Sequence, residues 1–115
     1  MGRTGRTLGS FEQLVLLAIM RVGEGAYGVP VQEEIERVTS RDVTPGALYR
    51  ALDRLEERGL VASGTGEPTP ERGGRRRRTL VVTPEGAREL GDALDALRGM
   101  AKGLDARIRA LAGEA

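Results

Sequence analysis

The stretch "VTPGALYRALDRLEERGLV", Val43 to Val61, decides how the chain folds. Threonine followed by proline reads as a helix start. The hydroxyl can cap the first turn, and proline's fixed φ and missing N–H suit the first helical position. Leu48, Leu52 and Leu55 then recur at intervals of four and three, which places them on one helix face. Gly59 follows as the closing residue, because the position after a helix end favours a left-handed backbone. The spacing predicts a helix from Pro45 to about Arg58. Its opposite face carries Ala47, Arg50, Arg54 and Glu57, with Tyr49 near the boundary.

Upstream, Pro30 suits the first turn of a short second helix, with Val31, Ile35 and Val38 as its buried stripe and "EEIER" as its wet side. "GEGAYG" (Gly23 to Gly28) separates it from a first helix running from about Phe11 to Arg21. Ser10 is that helix's expected cap and Gln13 its capping-box partner. Residues 1–9 read as a flexible, basic, glycine-rich arm. Downstream, "LVASGTG" and "RRRRTLVVT" read as two strands joined by the turn-rich "EPTPERGG". "TPEG" (Thr83 to Gly86) repeats the Thr-Pro opening and begins a final long helix. Its apolar positions, Leu90, Leu94, Leu97, Ala101, Leu104, Ile108 and Leu111, alternate spacings of four and three, the pattern of a coiled-coil seam. The expected fold is mainly α with a small β-hairpin: a winged helix-turn-helix over residues 10–83 and a C-terminal dimerisation helix over 84–115.

Composition narrows the function classes. The 115 residues contain no cysteine and no histidine, so disulfides, thiolate metal sites and most nucleophile–base pairs are excluded. No Walker-type glycine loop or metal-ligand spacing is present, and the carboxylates fall on wet helix faces beside arginines. No enzyme and no cofactor is expected. The longest apolar run, Leu14 to Met20, is too short to span a bilayer, and the opening residues lack the apolar segment of a secretory signal. The cytoplasm is the expected location, with no membrane partner. Phe11, Tyr27 and Tyr49 are the only aromatics, so the core must be aliphatic. A domain this small with such a core favours association.

Net charge is +1, but five of the basic residues fall between Arg72 and Arg78. If Leu80 and Val82 face the core, Arg76 and Arg78 share their side of the strand while Arg75 and Arg77 point away. Beyond the body of the domain neither face is buried, so all four can be wet and free to track a sugar-phosphate backbone or enter a minor groove. The third helix has the complementary form. Its first turn, "TPGA", is small enough for close approach, Thr44 and free backbone N–H groups can meet a phosphate, and Arg50 can donate a bidentate pair to guanine. Double-stranded DNA is the expected partner. A winged-helix module that binds protein and no DNA is the alternative, which would show no salt-dependent affinity for duplex.

The sequence resembles the PadR family of bacterial transcriptional regulators in its short form with one C-terminal helix. The resemblance rests on "LGSFEQLVLLAIMRVGEGAYGVPVQEEIE", "VTPGALYRALDRLEERGLV" and "GEPTPERGGRRRRTLVVTPEG". It implies a homodimeric repressor on an inverted-repeat promoter site, open to release by an unidentified effector. It also implies that Tyr27, Gly28, Thr44, Gly46, Tyr49 and Arg50 lie along the DNA, and that Phe11, Leu14 and Val15 supplement the seam across the dimer. The chain departs from the family at Thr79 and Leu80, where an aromatic is common. It has no tryptophan to stack a flat effector, which leaves only an aliphatic cleft.

Overall fold

In the computed structural model, which describes residues 7–68 and 76–114, the decisive stretch forms helix α3, Pro45–Glu57. The Thr44 hydroxyl accepts the Ala47 N–H at 3.1 Å, and Leu48, Ala51, Leu52 and Leu55 are fully buried. Each of those leucines contributes roughly 2 kcal/mol of apolar burial. The helix ends in a Schellman turn. Gly59 sits at φ 77° and donates to the Glu56 carbonyl, while Leu60 N–H donates to Leu55 O at 2.9 Å. That turn aims the chain directly into the hairpin.

Helices α1 (Ser10–Val22) and α2 (Gly28–Thr39) pack on α3 through Val15, Leu16, Ala18, Ile19, Val31 and Ile35. Strands β1 (Val61–Pro68) and β2 (Arg76–Val82) form an antiparallel pair with Val61 opposite Val82 and Thr65 opposite Arg78, and the register shifts between Thr65 and Pro68. Leu80 N–H also donates to Ala26 O at 2.8 Å, tying β2 to the α1–α2 turn. Helix α4 (Pro84–Ala101) opens with Thr83, whose hydroxyl accepts from Gly86 N–H at 3.0 Å and donates to Gly59 O at 2.7 Å. Helix α5 (Asp105–Leu111) follows.

The mainly helical winged helix-turn-helix is thus as expected, with several local corrections. Gly9, not Ser10, caps α1, because Glu12 stands three residues after it and accepts its N–H at 2.9 Å; Gln13 instead donates to Leu8 O. Leu8 is buried in the core, so the arm does not extend to residue 9, and residues 1–6 lie outside the described ones. Val38 is exposed, because α2 turns it away from the packed face. The C-terminal segment is not one helix. Lys102 (φ −55°, ψ 127°) and Gly103 (φ 81°) make a type II turn closed by Leu104 N–H to Ala101 O, 2.9 Å, which divides α4 from α5. Val15 and Leu90, expected on the dimer seam, are buried within the protomer and cannot lie on an exposed one.

Candidate nucleic-acid interface

Helix α3 is presented by its connection to α2. Ser40 adopts a left-handed conformation after α2, and the buried Val43 is held from both sides. Its N–H donates to Glu36 Oε2 at 2.9 Å and its carbonyl accepts from Gln32 Nε2 at 2.7 Å. This clamp fixes where Thr44 begins α3. Sequence reading missed it, because Gln32 and Glu36 look like ordinary wet-face residues.

Thr44 and Gly46 are exposed at the helix start, and Ala47 is half-buried. The Thr44 oxygen is used as the cap, which leaves its hydroxyl proton available to an acceptor. Arg50 is exposed and folds back over the first turn. Its Nη1 lies 3.4 Å from where a Gly46 Cβ would stand, which places the guanidinium against the bare backbone of the first turn. Among the described residues Arg50 has no acidic partner. The later arginines of α3 and its C-terminal cap do. Arg54 Nε pairs with Glu12 at 3.1 Å and Arg58 with Glu89 at 2.8 Å.

Gly28 at the start of α2 meets α3 through Tyr49. A Cβ on Gly28 would stand 2.2 Å from the Tyr49 hydroxyl oxygen, so the bare Gly28 backbone is the seat of that ring. Gly28 is buried, and Tyr27 and Tyr49 are half-buried. Gly28 and Tyr49 therefore form a packed corner behind the exposed start of α3.

The hairpin stands beside the C-terminal half of α3. The expectation that all four wing arginines are wet fails for Arg78. Its side chain shares the Leu80 face and reaches α3, where Nη2 pairs closely with Glu56 Oε1 and Nη1 lies 3.4 Å from Asp53. Glu56 also accepts from Ser63 Oγ at 2.6 Å. The Ser63 hydroxyl and then Arg78 hold the Glu56 carboxyl below its ordinary value. The Arg76 and Arg77 backbone belongs to β2, and Arg75 lies outside the described residues. At Glu12, burial opposes ionisation, but the Gly9 N–H and Arg54 outweigh it and lower the carboxyl. No cluster able to hold a metal occurs among the described residues, and none of their helices is long and apolar enough to cross a membrane. Behind the hairpin an open aliphatic cleft of about 550 Å³ is lined by Ile19, Met20, Leu80, Val82 and Ala87, among others.

Residues 16–92, about two thirds of the chain, match the transcriptional regulator PadR-like family. This chain belongs to that family. Among solved structures it is similar to a PadR family transcriptional regulator from Eggerthella lenta. The two are 25% identical with a TM-score of 0.65, over 84% of this chain and 81% of that one. A transcriptional regulator from Clostridium thermocellum gives 24% identity and a TM-score of 0.65, with 82% and 88% covered. RosR of H. salinarum gives 24% and 0.66, with 94% and 90% covered. No curated protein matches the sequence. PadR-like membership makes DNA-binding transcriptional regulation the function of the fold.

Proposed function

We propose that this PadR-like protein is a homodimeric repressor that binds an inverted-repeat promoter site, one half-site per protomer. The observation that carries this reading is Arg50, exposed, free of acidic partners among the described residues, and laid over the small first turn of α3. A guanidinium so placed can enter a major groove and pair with a guanine edge, while Thr44 and the first-turn N–H groups take a phosphate. By sequence, the run that contains Arg75, Arg76 and Arg77 supplies further cationic charge for the flanking backbone; Arg75 and the side chains of Arg76 and Arg77 lie outside the described residues. Arg54 and Arg78 serve first as internal partners of Glu12 and of Glu56. Phe11, Leu14, Leu94, Leu97, Ala101, Leu104, Ile108 and Leu111 remain for the dimer. The aliphatic cleft behind the hairpin is where this reading puts an apolar effector.

The test is a fluorescence-anisotropy titration of the protein's own promoter. Arg50→Ala should cost about 1–3 kcal/mol of specific binding, the worth of one bidentate base contact. Adding glutamine at Arg75, Arg76 and Arg77 should abolish binding and flatten the salt dependence of what remains. Sedimentation should show the dimer unchanged. Full binding by the quadruple variant overturns the assignment.

A further inference from the structure

We propose that Glu56 is a positioning residue of the reading surface: it locks the wing to α3, and so sets where the wing arginines fall relative to Arg50. The inference rests on the DNA-binding reading and adds to it a determinant of specificity that touches no DNA.

Three observations support it. First, one carboxylate joins three elements. Glu56 projects from the last turn of α3, takes the Ser63 hydroxyl of β1 at 2.6 Å on Oε2, and takes Arg78 of β2 on Oε1. Second, the place on the hairpin is decisive. Ser63 pairs with Leu80 and Thr65 with Arg78, so Ser63 and Arg78 are diagonal neighbours on the face turned to α3. The Thr65–Arg78 pair is the last before the register shifts. The clamp therefore grips the ladder at its outermost regular rung, where it has the most leverage on what lies beyond. Third, among the described residues the backbone hydrogen bonds that hold the hairpin to the body lie further in: Leu80 N–H to Ala26 O at the middle rung, and Thr83 N–H to Leu60 O at the foot. Asp53, one turn earlier on α3, assists at 3.4 Å but is far more exposed than Glu56. Without Glu56 the hairpin keeps its hinge and loses its brace.

The opposite expectation follows from charge alone. Glu56 is an anion beside a polyanion-binding surface, so its removal should raise affinity for every duplex. Positioning and simple electrostatics thus predict different outcomes for one variant. Glu56→Ala is titrated against an operator selected with the wild-type protein and against random duplex. The ratio of specific to random affinity should fall about tenfold, as for one misplaced base contact, with random-duplex affinity equal or higher. Glu56→Gln, whose one amide oxygen can still accept from Arg78 while its NH2 donates to the Ser63 hydroxyl oxygen, should restore much of the ratio. An unchanged ratio, or an equal gain on both duplexes, overturns the proposal. A parallel measurement needs no DNA. The chain has no cysteine, so spin labels can be placed at Glu57→Cys on α3 and Thr65→Cys on β1. Their distance distribution should broaden in Glu56→Ala and narrow again in Glu56→Gln; an unchanged distribution overturns the brace. If the wild-type protein selects no operator, the DNA-binding reading fails, while the label distances still decide the brace.

Discussion

Gly28 and Gly86 are both glycines for the lack of a side chain, yet what crowds them differs. A Cβ on Gly86 would stand 2.2 Å from the Leu60 carbonyl oxygen, a backbone atom already fixed by accepting Thr83 N–H. Neither partner can give way without moving α4 off the base of the hairpin. A Cβ on Gly28 meets the Tyr49 hydroxyl end, which a χ1 change can swing aside. Gly86→Ala should therefore cost about 1–3 kcal/mol in denaturant unfolding, the usual range for overpacking. Gly28→Ala should cost less in stability while displacing Tyr49, visible as a shift in its ring resonances. Equal losses would contradict the difference in what each glycine faces. Neither contact was legible in the sequence, where "AYG" and "GALY" are separate motifs. The same holds for Glu12, Gln32, Glu36 and Glu56. Each sits at a helical position that looks solvated, and its partner lies on another element.

Elements read more clearly than residues, because caps and periodicity are local. Thr44-Pro45 and Thr83-Pro84 both start helices where the sequence puts them, and Leu48, Leu52 and Leu55 face inward together. The C-terminal segment is where local reading misled. Its heptads are regular, but counting apolar positions ignored the dipeptide Lys102-Gly103, which supplies the positive φ that a type II turn demands. The stripe divides in consequence. Leu90 is buried in its own domain and Leu94 packs against it, whereas Leu97, Ile108 and Leu111 are 63%, 55% and 83% exposed. Helix α5 has seven residues, none buried, and so short a helix is not stable in water by itself. If a second copy covers this arm, Leu97→Glu combined with Ile108→Glu should give a monomer by sedimentation at micromolar concentration. The circular-dichroism signal of α1 to α3 should survive, since exposed substitutions seldom cost their own domain more than about 0.5 kcal/mol. Operator affinity should fall with the loss of the second half-site. A persistent dimer would move the interface elsewhere on the molecule.

Among the described residues, several carboxylates act as joints between neighbouring elements, and three of them have shifted titration. Glu12 links α1 to Arg54 of α3, Glu34 of α2 reaches Arg21 of α1 at 2.6 Å, and Glu56 links α3 to the hairpin. All three are held below their ordinary value, Glu34 by Arg37 and then Arg21 to about 2. The arginines stay charged at any pH of interest, so the carboxylates alone give these joints their pH dependence. Because the folded values are depressed, the unfolded chain takes up protons first as the solution is acidified. The stabilisation is complete above the ordinary carboxylate value of 4.5 and is lost as pH falls through the folded values, which for Glu34 means between 4.5 and about 2. The urea midpoint should hold steady from pH 7 to 5 and then fall. Glu34→Gln should lie below wild type at pH 7 and converge on it as pH approaches 2. Salt should narrow the gap at pH 7, because Arg21 and Arg37 are both more than half exposed and their attraction is screened. A gap between wild type and Glu34→Gln that stayed constant from pH 7 to 2 would show that the joint does not titrate as its geometry requires.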